Sequence, residues 1–279
     1  MRIRVFAHLI PLLAAIPAAA APVCMQGGTL QSYLDVSASD GGCQIDNFQM
    51  SNWAFATVGV FAQPVTASNI VVNYSINASG LPDISFSGTW TADAFPLADA
   101  TSVIAYSIEA LNNSYIITGV GISAEGSVSP LTAGLVPTGA AALTELNCVG
   151  GLTDIRDPGN LGGVLPLPGN LGDVACSGGS ANVNTTASLA PGVGVSANAN
   201  VSFGAGDNFI DIVKILVVSD LLNVPLSGVD GFGTLTSVSQ QFQGTAVPAQ
   251  TPEPTTLSMM GVGGLLLAWA RRRTVRSRA

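Results

Sequence analysis

Apolar and polar positions alternate with a period of two through the middle of the chain. Ile70, Val72, Tyr74 and Ile76 share one face; Ile84, Phe86 and Trp90 follow, then Ile104, Tyr106 and Ile108, then Ile116, Thr118, Val120 and Ile122. Further on, Val193, Val195, Ala197, Ala199, Val201 and Phe203 alternate with Gly194, Ser196, Asn198, Asn200 and Ser202. Successive side chains of a strand point to opposite faces, so this pattern predicts half-buried antiparallel strands. Phe209 to Val218 is more continuously apolar, interrupted by Asp211 and Lys214, and predicts a more central strand. Turn chemistry separates the runs at Ser79-Gly80-Leu81-Pro82-Asp83, at Asn112-Asn113 and at Ala205-Gly206-Asp207-Asn208. Only Thr138 to Leu146 reads as a short helix.

About nine or ten strands at this spacing predict an all-β chain folded as an antiparallel β-sandwich. Residues 21–243 are expected to form one domain, with Asp157 to Asp173 as a long surface excursion. That excursion repeats Pro-Gly-Asn-Leu-Gly at Pro158 and at Pro168, and two copies are too few for a repeat array. Residues 244–254 read as a flexible, proline-containing linker.

The two ends differ from this middle. Arg2 and Arg4 precede an apolar stretch from Val5 to Ile16, followed by Pro17 and four alanines. A positive start, a short apolar run and small residues, in that order, predict a secretory signal peptide over residues 1–20, forming a helix, with cleavage after Ala20. At the other end Pro252-Glu253-Pro254 leads into the apolar stretch Leu257 to Ala270 and then Arg271-Arg272-Arg273. Residues 255–270 are expected to form a short membrane-crossing helix and residues 271–279 a basic cytoplasmic tail. At about 1.5 Å per residue that helix is shorter than the ~30 Å hydrocarbon core, which suits a temporary anchor in the inner membrane. Arginines flanking both apolar segments leave both ends on the cytoplasmic side and the middle translocated.

Pro252, Glu253 and Pro254, the short apolar helix and the cluster Arg271, Arg272 and Arg273 resemble the PEP-CTERM sorting signal of Gram-negative bacteria. The resemblance implies recognition by an exosortase, a membrane-embedded protease-transpeptidase that acts near the tripeptide. In that reading the tripeptide is recognised and the arginines hold the tail inside. The opening of the mature chain, with Cys24, Gly28-Thr29-Leu30-Gln31-Ser32-Tyr33-Leu34, Gly42-Cys43-Gln44-Ile45 and Phe48 to Phe55, also resembles many PEP-CTERM proteins. It implies no particular activity. Localisation at the cell surface or in the extracellular matrix follows from the same resemblance, with envelope or matrix polysaccharide as a partner.

Charge narrows the chemistry. Residues 21–250 carry 16 carboxylates and two cations, Arg156 and Lys214, for a net charge of 2 minus 16, or −14, against −8 for the whole chain. Two cations cannot neutralise a phosphate backbone, so nucleic acid is not expected as a partner. The one histidine, His8, lies in the signal peptide. The mature chain therefore has no histidine for a Ser-His-Asp or Cys-His arrangement or for a histidine metal site.

Export places Cys24, Cys43, Cys148 and Cys176 in an oxidising compartment. Four cysteines allow three pairings, of which Cys24–Cys43 with Cys148–Cys176 is the simplest. For metals, Asp207, Asn208 and Asp211, or Asp40 with Asp46, offer the oxygen ligands calcium prefers without matching a calcium-loop pattern. No other cofactor is expected. Asp154 with Asp157, or Asp207 with Asp211, are the nearest carboxylate pairs for a glycan hydrolase. Glu109, Glu125 and Glu145 are lone acids without a readable role. A glycan-binding face would use exposed rings, and Trp53, Trp90, Tyr74 and Tyr106 are the candidates, although their apolar surroundings favour core packing. The sequence thus points to a non-enzymatic, structural or matrix protein. A carbohydrate-binding module, with or without calcium, is the alternative, and a hydrolase the third.

Overall fold

A computed structural model describes residues 21–60, 65–92, 99–128, 139–149, 182–220 and 232–248. Among these residues the elements run, in chain order, β1 (Gly28–Thr29), α1 (Leu30–Asp40), β2 (Cys43–Ile45), β3 (Phe48–Val60), β4 (Val71–Ile76), β5 (Pro82–Ala92), β6 (Asp99–Ala110), β7 (Tyr115–Val128), β8 (Gly139–Val149), β9 (Asn182–Ser188), β10 (Gly192–Asp207), β11 (Phe209–Asp220) and β12 (Gly233–Ala246). They form two six-stranded sheets, ordered β1-β4-β5-β12-β7-β10 and β2-β3-β6-β11-β8-β9. The named strands pair antiparallel with one another, and Val23 adds an isolated parallel bridge to Gln44.

One apolar core draws on both sheets. Ile84, Phe86, Trp90, Val120, Ile122, Leu235 and Val238 come from the first; Ile104, Tyr106, Ile108, Leu143, Ile210, Ile212 and Leu216 come from the second. Ile84, Phe86, Trp90, Ile104, Tyr106, Ile108, Val120 and Ile122 are among the positions the alternation singled out, whereas Leu143, Leu235 and Val238 are not. Phe209–Asp220 is indeed interior, hydrogen-bonded to β6 on one side and β8 on the other. Its register with β8 is unbroken from Ile210↔Val149 to Asp220↔Gly139. Because β6, β8 and β11 are apolar on both faces, their other side, with Ala54 of β3, makes a second buried cluster of Val103, Ala105, Leu146, Cys148, Val213 and Ile215.

Two local predictions change. Thr138 to Leu146 does not form a helix: residues from Gly139 belong to β8. Its alanines favour a helix in isolation, but pairing with β11 and β9 and alternate burial of Ala141 and Leu143 override that preference. The helix lies instead at Leu30–Asp40. Thr29 caps it by accepting a hydrogen bond from the Ser32 amide at 3.3 Å, and Gly41 ends it in the left-handed conformation. It buries Leu30 and Tyr33, whose ring lies 4.9 Å from that of Trp53. At the far end β12 continues to Ala246, and the Val247 amide donates to the Ser114 carbonyl at 2.8 Å. The first residues of the expected linker are therefore strand.

No described helix is long and apolar enough to cross a membrane. The expected signal helix with its Ala20 cleavage point, the Asp157–Asp173 excursion and its Asp154 and Asp157, Cys176, the rest of the linker with Pro252, Glu253 and Pro254, the membrane helix and the tail with Arg271, Arg272 and Arg273 lie outside the described residues.

Candidate functional site

The described polar chemistry is concentrated inside the core. Strand β11 places Lys214 directly opposite Glu145 of β8, and both side chains are fully buried. The Lys214 ammonium donates to Glu145 Oε2. From the facing sheet, Gln240 of β12 donates through Nε2 to Glu145 Oε1 at 3.3 Å. Tyr106 of β6 donates its hydroxyl to Gln240 Oε1. Amine, carboxylate, carboxamide and phenol thus form one chain of hydrogen bonds that joins the two sheets. Asn147, also fully buried, sits two residues beyond Glu145 on β8, diagonal to Lys214.

Burial dominates the electrostatics of this cluster. It lowers the lysine pKa from the usual 10.5, with Glu145 offsetting part of the effect. It also raises the Tyr106 pKa well above 10, and the Glu145 charge adds to that. An isolated buried charge is very costly, so Lys214 and Glu145 depend on each other.

Neither residue was assigned a role from sequence. The readable signal was Lys214 itself: a lone cation in the most apolar strand of an acidic domain requires a buried anion. Glu145, inside Ala141-Ala142-Leu143-Thr144-Glu145-Leu146, has the same signature.

The other candidates do not converge. Asp207 Oδ1 accepts from the amides of Asn208 and Phe209 at 2.7 and 3.3 Å, closing the turn between β10 and β11. Asn208 Nδ2 donates to Asn113 Oδ1 at 2.6 Å. Asp211 is buried and accepts from the Ser107 hydroxyl, which in turn accepts from Asn52 Nδ2 at 2.9 Å. The three expected calcium ligands therefore serve different local structures. The Asp40 and Asp46 carboxylates accept from neighbours in sequence, Ser39 and Asn47. Among the described residues no group of three or more His, Cys, Asp or Glu could hold a metal ion.

The ring candidates belong to the core. Trp53 stacks on Tyr106 with centroids 4.7 Å apart and meets Phe86 edge-on at 6.3 Å. Trp53 and Trp90 are 7% and 2% exposed, so neither offers an open platform. Tyr74, half-buried, donates to the Cys24 carbonyl at 2.9 Å. Cys24 and Cys43 are joined, as the simplest pairing expected. Cys148 is also disulfide-bonded.

The family model of the PEP-CTERM protein-sorting motif matches residues 250–273. The chain carries a PEP-CTERM protein-sorting motif. The match covers the tripeptide, the apolar stretch and the arginines Arg271, Arg272 and Arg273 on which the resemblance rested. The PEP-CTERM signal implies export toward the cell envelope and processing by an exosortase. No curated protein matches the chain. Among solved structures, the enzymatically active domain of bacteriophage CBA120 tailspike protein 4 is similar with 9% identity and a TM-score of 0.26, over 69% of this chain and 20% of that one. The chain thus spans about a fifth of the tailspike chain. The mannan-recognising carbohydrate-binding module TmCBM27 is similar with 11% identity and a TM-score of 0.18, over 78% of this chain and 97% of that one. At these TM-scores neither likeness carries an argument about this chain.

Proposed function

We propose that the chain is an exported β-sandwich of structural type, carried to the cell surface or the extracellular matrix by its PEP-CTERM signal, and not an enzyme. The observation that supports this reading is the use made of the buried polar groups: Lys214, Glu145, Gln240 and Tyr106 bond to one another across the core and tie the two sheets together. The absence of histidine from residues 21–250 points the same way. Burial of Trp53, Trp90 and Tyr106, three of the four candidate rings, weighs against a glycan-binding reading. Polysaccharide as a surrounding matrix, rather than as a bound ligand, fits a low-charge exterior.

Fractionation of the producing cells, with mass spectrometry of both termini, tests the reading. The expected product lies in the envelope or the medium, begins after Ala20 and no longer carries Arg271 to Ala279. A protein found in the cytoplasm with Met1 intact overturns export. A C-terminus still at Ala279 overturns processing at the signal. A screen of glycosidic substrates against the exported protein tests the remaining part, and turnover of any of them overturns the non-enzymatic reading.

A further inference from the structure

We propose that Lys214 and Gln240 become joined by a side-chain amide bond that locks the two sheets together, with Glu145 as the proton carrier. The two reacting groups are bonded to the two oxygens of one carboxylate: the Lys214 amine to Oε2 and the Gln240 amide nitrogen to Oε1. The acceptor carbonyl is polarised, because Tyr106 donates its hydroxyl to Gln240 Oε1, where negative charge develops during attack. All four side chains are fully buried, so water neither competes as nucleophile nor separates the groups.

The step balances without any co-reactant. Glu145 takes a proton from the Lys214 ammonium, leaving a neutral amine, the form that dry surroundings favour. The amine nitrogen attacks Gln240 Cδ and a C–N bond forms, with the carbonyl oxygen held by Tyr106. Glu145 passes its proton to the departing nitrogen and receives one from the attacking nitrogen. The Cδ–Nε2 bond breaks, ammonia leaves, and Glu145 ends as a neutral acid. The product contains no buried charge in place of the original pair, which supplies a driving force for closure. Asn147 offers a second carboxamide on the same face, but Gln240 is the group whose oxygen accepts from Tyr106 and whose nitrogen donates to Glu145.

The test needs only the exported wild-type protein, denatured and digested. Between residues 21 and 250 trypsin has two sites, Arg156 and Lys214. Acylation of Lys214 abolishes the second. Cleavage before Asp211, Asp220 and Asp230 separates residues 211–219 from those that begin at Asp230 and contain Gln240. The expected result is no tryptic cut after Lys214, and the two aspartate-bounded peptides recovered as one species lighter than their sum by one ammonia. A tryptic cut after Lys214 with both peptides at their full separate masses overturns the proposal. Loss of ammonia with fragment ions that place the bond on Asn147 overturns the choice of acceptor. In Glu145→Gln the carboxylate is gone while its hydrogen-bonding shape is kept, so the cut after Lys214 and the missing ammonia should both return. A bond that still forms there overturns the role of Glu145. The wild-type digest decides the central claim even if that variant does not fold.

Discussion

Lys214 of β11 and Glu145 of β8 face each other at one register position, and their charged ends meet where neither is exposed. Before the proposed amide bond closes, the charge of each stabilises the other, so the uncrosslinked pair responds asymmetrically to mutation. Glu145→Leu leaves a buried cation without its counterion and should cost about 3–5 kcal/mol. Adding Lys214→Met removes the stranded charge and should restore a large part of that loss. Chemical denaturation of both variants measures the difference, and a double variant less stable than Glu145→Leu alone contradicts the mutual dependence.

Alkaline pH should unfold the domain through its tyrosines. Burial raises the pKa of Tyr33 and Tyr106 above the usual 10, with Tyr74 and Glu145 adding to the respective shifts. The native state therefore keeps protons that the unfolded state releases. The associated stability is fully present below pH 10 and is lost as pH rises from there toward the folded-state values. In the uncrosslinked protein Lys214 acts with the opposite sign, since its lowered pKa gains stability with pH only up to the ordinary 10.5. Above that value the tyrosines alone decide the slope among these groups. Phenolate absorbance should rise together with loss of near-ultraviolet circular dichroism, and Tyr33→Phe should reduce the amplitude of that step.

The Cys24–Cys43 bridge spans 19 positions and encloses α1. In the chain-entropy account, closing a loop of that length contributes roughly 3 kcal/mol. The double variant Cys24→Ser with Cys43→Ser should lose about that amount, with α1 exchanging its amide hydrogens earliest. Hydrogen exchange that leaves α1 as protected as β11 would count against the bridge holding the helix.

Gly42, beside that bridge, has φ of 128°, and a Cβ there would overlap the Met50 carbonyl oxygen on β3. Gly42→Ala should therefore cost about 1–3 kcal/mol. Gly41 also has a positive φ, of 72°, but no atom lies within 4 Å of its would-be Cβ. Gly41→Ala should be milder, and thermal melts of the two variants should rank them in that order.

Strands β4, β6, β7 and β10 were legible from alternating side chains, and β11 from its nearly continuous apolar run. The helix at Leu30–Asp40 was missed although its signals are local: Thr29 before it, Gly41-Gly42 after it, and Leu30, Tyr33 and Leu34 spaced for one face. Thr138 to Leu146 was misread for the opposite reason, since nothing within the segment tells its alanines that β11 and β9 lie on either side. The candidate site follows the same division. Glu145 and Gln240 are 95 positions apart, and no local pattern links either to Lys214 or Tyr106.

The sequence by itself determined that this protein carries a sorting signal implying export toward the cell envelope, and what it is made of. Sorting signals are read as linear segments, and the −14 charge and missing histidine of residues 21–250 belong to composition. Only the tertiary structure decided which few polar side chains meet. Hydrogen bonds and ion pairs act over a few ångströms, and strands remote in the chain reach that separation only when the two sheets close over their shared core.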